Sequence, residues 1–188
     1  MHKATICRYS PFFTAACSQR SVKGKATVVR LPEADSRVFG VYVHWTYTEK
    51  VDMVFLWDAS DDDARVPVLH LGEVWILANY LQDTRLCNRV CDMIIQRYQQ
   101  KHSWLHPKPL QGIWEHTVLD SPLRRLVTDL TAAYVTPQDI IMFGQQYPTE
   151  IIIHLATKFA SGETRKAAFS QQDRCKYHIH ESGAEKCL

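Results

Sequence analysis

From about residue 74 onward apolar residues recur in steps of three and four. Val74, Leu77, Ala78 and Leu81 make one stripe, and Leu86, Val90, Met93 and Ile94 make another. That spacing puts side chains on one face of a helix. Asp83 lies between the stripes as a cap, which predicts two packed helices joined by a tight turn. His102 to Pro109 holds two prolines and reads as a linker. A helix is expected over about residues 109–117, and another from Ser121-Pro122 that buries Leu123, Leu126, Val127, Leu130 and Tyr134. Two more start at Thr136-Pro137-x-Asp139 and near Tyr147-Pro148. Thr-Pro-x-Asp is a near relative of the capping box, in which a hydroxyl and an acid three residues on satisfy free backbone N–H groups. Ile152, Leu155, Ala156 and Phe159 mark the last apolar face, and from Ser161 the chain turns polar, as a loose tail does.

The chain before about residue 70 is less regular. Residues 2–9 and 10–18 read as two short helices, with Ser10 capping the second and Pro11 in its first turn. Ser18 to Lys25 is a polar, basic loop. Thr27, Val29 and Leu31 alternate with Val28 and Arg30, as in a short strand that Pro32 ends. Residues 36–48 satisfy two periods at once. Phe39, Val41, Val43, Trp45 and Tyr47 alternate, while Val38, Val41, Tyr42 and Trp45 have helical spacing. Propensity favours the strand, because the segment is β-branched and contains Gly40. Glu49 to Leu69 is a long connection with an apolar patch, Val54 to Trp57, and an acidic run from Asp58 to Asp63.

Composition narrows the class. The chain has 188 residues, 46% hydrophobic and 22% charged, enough to bury a real core. A net charge of +2 is too mild for a nucleic-acid surface, even with Arg124, Arg125, Lys158, Arg165, Lys166, Arg174 and Lys176 in the C-terminal third. No apolar run approaches the ~18 residues of a membrane span, and the N-terminus lacks the apolar core of a secretory signal. These features fit an intracellular protein of the nucleus or cytoplasm, whose six cysteines stay reduced.

Several motifs occur together at the start: His2-Lys3-x-x-Ile6, Ser10-Pro11-Phe12-Phe13, Val28-Val29-Arg30-Leu31-Pro32 and Trp45-x-Tyr47-Thr48. In this order, with the paired helices around Leu77 to Cys91, residues 2–100 resemble a BTB/POZ domain from its second strand onward. Val29-Arg30-Leu31-Pro32 and Tyr80-Leu81-Gln82-Asp83-Thr84-Arg85 look most like the fungal members, and Ser121-Pro122-Leu123-Arg124-Arg125-Leu126 resembles their C-terminal extensions. The resemblance implies a mixed α+β fold, mostly helical. A BTB/POZ-like core with a small sheet would fill residues 1–100, a helical extension 101–160, and a polar tail 161–188. It also implies a helix at 36–48.

In function it implies a non-enzymatic adaptor that needs no cofactor. Its partners would be proteins, either another BTB chain by dimerisation or a cullin scaffold of a ubiquitin ligase. Met1 stands where the family has a two-strand hairpin, so the module is expected to lack its first strands, as from a truncated gene model. That would leave an apolar face open near Ile6, Phe12 and Phe13. Val22-Lys23-Gly24 aligns with the hydrophobic-x-Glu motif of cullin-binding members. Gly24 in place of the acid removes a charge-assisted bond.

Other constellations compete with ordinary structural roles. Cys175, His178 and His180, with Cys187 nearby, have zinc-ligand chemistry and support an alternative, a small metal-binding regulatory protein. Metal content and a Cys175→Ser, His178→Ala variant would separate it from the adaptor. Cys87 and Cys91 fit core packing with Ile94 and Tyr98. Asp58, Asp61, Asp62 and Asp63 lack a calcium-loop pattern. Ser121-Pro122 suits a helix start better than a kinase site. No phosphate loop, Gly-x-Ser-x-Gly or His-Glu-x-x-His motif is present, and the sequence nominates no catalytic pair.

Overall fold

The computed structural model describes residues 2–19, 28–31, 34–56, 66–101, 107–161 and 174–180. They form two compact units, Met1–Val90 and Cys91–Leu188, with the division inside one helix. The first unit contains α1 (Lys3–Tyr9), α2 (Pro11–Gln19), α3 (Ser36–Thr48), a 3-10 turn at Met53–Leu56, α4 (Val66–Tyr80) and the start of α5 (Thr84–Lys101). The second contains the rest of α5, α6 (Pro107–His116), α7 (Pro122–Tyr134), α8 (Pro137–Phe143), α9 (Thr149–Ala160) and a 3-10 turn at Cys175–Tyr177.

No strand occurs among the described residues. The expected α+β class with a small sheet is therefore wrong, and with it the resemblance to a BTB/POZ domain, which is built around a sheet. Val28–Leu31 takes no strand conformation, and Thr27 lies outside the described residues. An isolated strand has no ladder partner, and even a lone hairpin is marginal in water. Residues 36–48 form a helix, against their β propensity. Asp35 decides the local choice, because its side chain accepts from the N–H groups of Arg37 and Val38. Packing does the rest. The helix buries Val38, Val41, Tyr42, Trp45 and Thr46, the 3.6-residue face and not the alternating one.

The paired helices form as their stripes demand. Val74, Ala78, Leu81, Leu86, Val90 and Ile94 are almost fully buried, as are Cys87 and Cys91. Their junction is unusually economical. Gln82 takes a left-handed conformation at φ 60°. The N–H of Gln82 donates to Asn79 O at 3.1 Å and that of Asp83 to Ala78 O at 2.9 Å. These two bonds are a Schellman stop for α4. The Asp83 carboxylate then caps α5, accepting from Leu86 N at 3.0 Å. Its other oxygen accepts from the Trp45 indole N–H, also at 3.0 Å. Burial pushes this carboxyl above its ordinary range, against the pull of those two donors.

Ser10 has a similar double role beside it. Its hydroxyl donates to Leu81 O at 2.6 Å and accepts from Phe13 N at 3.1 Å. So Ser10 caps α2 and ties that helix to the end of α4.

In the second unit, α7 buries Leu123, Leu126, Val127 and Leu130. Tyr134 is half-buried, its ring 6.1 Å from that of Tyr98. The capping box at Thr136 and Asp139 is complete, with both reciprocal bonds present. In α9 the buried pair is Ile151 and Leu155, one position off the expected face, and Phe159 is half exposed. Three consecutive isoleucines offer no phase signal of their own, which is why sequence misplaced it. The helix α8 buries none of its seven residues and leaves Ile141 77% and Met142 60% exposed. Tyr177 is fully buried, although its neighbourhood had the polar composition of a tail.

Replacing Asp83 by Ala is expected to lower stability by about 2 kcal/mol or more, the sum of a lost cap and an orphaned indole N–H. Asp83→Asn should recover only part of it, because one amide oxygen faces two donors. Denaturant unfolding followed by tryptophan fluorescence measures both.

Candidate functional site

The first unit contains an apolar groove of about 590 Å³. Its floor is Ile6, Phe13 and Cys17 from α1 and α2, and one wall is Phe39 of α3. Val28, Val29 and Leu31 also line it, with Lys3, Ala34 and Ser36. Helices α1 and α2 are locked side by side beneath it. Thr14 Oγ1 donates to Cys7 O at 2.8 Å, and Lys3 Nζ donates to Cys17 O at 3.4 Å. Rings stiffen the base: Phe12 meets Phe13 at 5.3 Å, Phe13 meets Tyr42 at 6.5 Å, and Phe39 stacks on Tyr42 at 6.1 Å. Among the described residues of the lining Lys3 is the single charged one, and it is exposed.

A second cleft, of about 480 Å³, lies in the second unit and is charged. Arg124 is its most constrained member. The guanidinium stacks over Trp114 at 5.1 Å and donates to Thr117 Oγ1 at 2.9 Å and to Trp114 O at 2.6 Å. It also donates to Thr117 O and pairs with Glu150 at 3.2 Å. The Trp114 indole N–H donates to the same Glu150 carboxylate.

Opposite, Asp129 accepts from Tyr177 Oη at 2.8 Å and pairs with Lys176 at 3.0 Å and Lys158 at 3.3 Å. His154 Nε2 faces it at 3.5 Å without a hydrogen bond. Burial alone would raise the Asp129 carboxyl. The Tyr177 hydroxyl and the Lys176 and Lys158 ammoniums outweigh burial and hold it below its ordinary value. A carboxylate held ionised in this way is a weak proton acceptor at neutral pH, so these contacts read as an internal tie among α7, α9 and residues 174–180.

The contact residues expected from sequence fall in different places. Ile6 and Phe13 are buried and line the groove; Phe12 is half-buried and packs on Tyr80 at 5.2 Å. Val22, Lys23 and Gly24 lie outside the described residues, as do Asp58 to Asp63 and Cys187. Ser121 is buried and caps α7, its side chain accepting from Arg124 N.

Cys175 Sγ lies 3.1 Å from His180 Nε2, whereas His178 pairs with Asp92 at 3.2 Å. Among the described residues no group of three or more His, Cys, Asp or Glu side chains is placed to hold a metal ion. The alternative reading as a small metal-binding regulatory protein, on Cys175, His178 and His180, is overturned by that arrangement. The adaptor of BTB/POZ type falls with its sheet, and so do the dimerisation and cullin roles that came with the resemblance.

Sequence reasoning missed Val28, Val29, Leu31 and Phe39 as groove walls. Two adjacent valines followed by Leu31 break strict alternation, which was the available sign that the segment presents an apolar surface without joining a sheet. Comparison with protein-family models, with curated proteins and with solved structures gives no match. No helix among the described residues is long and apolar enough to cross a membrane.

The Asp129 tie makes a pH prediction. Its folded-state value is depressed, so its stabilisation is fully present above the ordinary carboxylate value of 3.8 and is lost as pH falls through the lower folded value. Amide hydrogen-exchange protection around Tyr177 should hold from neutral pH to about pH 4 and decline below it. In Asp129→Asn protection should be lower throughout, and that decline should be missing.

Proposed function

We propose that this chain is a protein-binding module that takes a short apolar segment of another polypeptide into the groove between α1, α2, α3 and residues 28–31. The reading is one of binding and not of catalysis. A single observation carries it: a 590 Å³ apolar groove in which Lys3 is the one charged residue among the described residues of the lining. Clefts of roughly 300–1,000 Å³ are large enough to bury a ligand's surface. Here one wall is open, since Val28 is 61% exposed and Arg30 beside it is exposed too. An open apolar wall with cations at its edge suits a chain that runs along it, with apolar anchors pointing in and an acidic residue near Lys3. A fully enclosed small molecule would need no such wall.

A random-peptide display selection on the full chain tests the reading. Enriched peptides should share two or three apolar anchors and one flanking acid. Their affinity should fall at least tenfold against Val29→Asp and two- to fivefold against Lys3→Glu, with loss of salt sensitivity in the latter. Amide shift changes should map to α1, α2 and α3. No enrichment, or enriched peptides that bind Val29→Asp unchanged, would overturn it.

A further inference from the structure

Arg174 to His180 is a seven-residue segment, Arg-Cys-Lys-Tyr-His-Ile-His, with a 3-10 turn at Cys175–Tyr177. Twelve residues of sequence separate it from Ser161, at the end of α9. It lies against two helix faces of the second unit. On α5, Asp92 and Gln99 are seven residues apart, about two turns along one face. Asp92 Oδ1 pairs with His178 Nε2 at 3.2 Å and with the Arg174 guanidinium at 4.0 Å. Gln99 Oε1 accepts from Arg174 Nη2 at 3.2 Å. On α7, Arg125 and Asp129 are one turn apart. Arg125 donates to the Lys176 carbonyl at 3.3 Å, and Asp129 takes both the Tyr177 hydroxyl and the Lys176 ammonium. The pattern is that of a bound peptide. One aromatic anchor is completely buried, basic side chains stand on both sides of it, and two acids on the receiving helices match them.

We propose that this face of α5 and α7 is a docking site for a short polypeptide motif, a tyrosine between basic residues. The chain's own residues 174–180 occupy it in cis until a partner carrying the motif displaces them. The phenol sets the specificity. Its ring is buried and its hydroxyl donates to Asp129 at 2.8 Å, so a phenylalanine would leave that carboxylate one donor short. Charge sets the flanks. With the segment lifted, Asp92 loses Arg174 and Asp129 loses Lys176, although Lys158 of α9 stays 3.3 Å from Asp129. A basic peptide restores both pairs, and an acidic one would be repelled. An intramolecular occupant has a local concentration on the order of mM. A partner must therefore bind more tightly than the segment does, or grip a further surface as well, and the segment acts as a threshold on recruitment. The site is separate from the apolar groove of the first unit and stands whatever that groove takes up.

The probe is a fluorescently labelled synthetic peptide with the sequence of residues 174–180 and serine in place of its cysteine, titrated by anisotropy into the full chain. Tyr177→Ala, which removes the anchor in cis, should bind it at least tenfold more tightly than the wild-type chain, whose site is filled. A peptide with phenylalanine for the tyrosine should bind severalfold more weakly, and Asp129→Asn added to Tyr177→Ala should cost about tenfold. Amide shift changes should fall on α5 and α7. Arg174→Glu with Lys176→Glu loosens the segment while leaving Tyr177 in place. It supplies a second open form should Tyr177→Ala fail to fold, and it too should bind the peptide more tightly than wild type. Loss of helical structure in both variants would overturn the proposal, because residues 174–180 would then be part of the core. So would folded variants that bind no better than wild type, binding unchanged by Asp129→Asn, or shift changes on α1 to α3 instead. A wild-type dimer that Tyr177→Ala abolishes would also overturn it, since the occupant would then be a second copy's segment.

Discussion

The first unit turns on a buried carboxylate that belongs to two helices. Asp83 supplies the last backbone donor of the α4 stop and the side-chain cap of α5, and it holds the Trp45 indole of α3. Removing a charge from water is costly unless its lone pairs are matched. Here the cost is visible as a raised carboxyl, which two well-placed donors only partly offset. The carboxylate therefore specifies geometry more than it adds stability. Three helices must arrive in one arrangement for it to be satisfied. Ser10, bonded to Leu81 O next to this point, brings α2 into the same arrangement. The groove inherits its shape from that junction, since Phe13 and Phe39 reach it from α2 and α3.

The two units handle charge in opposite ways. Among the described residues lining the groove there is almost none, and the surface left over is apolar. In the second unit charge is dense but matched: Arg124 is enclosed by carbonyls, a ring and Glu150, and Asp129 by three basic side chains and a phenol. Matched charges orient elements and have little left for a ligand, whereas unmatched apolar surface gains from being covered. That contrast is why the proposed binding groove lies in the first unit.

Most of the helices were legible because their apolar residues keep one period and their caps are chemically explicit. Asp83, Ser121 and the Thr136–Asp139 box all mark real starts. The segment 36–48 was ambiguous because it satisfies both periods, and the deciding Asp35 cap is a local bond whose weight sequence does not display. The sheet was inferred from order and kind of residues alone, and no strand forms among the described residues. The groove was half legible. Ile6 and Phe13 stood out as bulky residues on short helices, but the walls from 28–31 and Phe39 depend on tertiary placement. The same holds for Tyr177, where Arg174, Lys176, His178 and His180 around one aromatic masked a buried anchor.

The outward-facing isoleucine and methionine of α8 have a practical side. Greasy side chains standing in water on a short helix make a protein sticky as its concentration rises, independently of any specific recognition. Self-association seen by scattering or sedimentation at high concentration would thus report first on the stretch after Thr136. Assays of ligand uptake elsewhere on the molecule are cleanest in dilute solution, where that stickiness is silent.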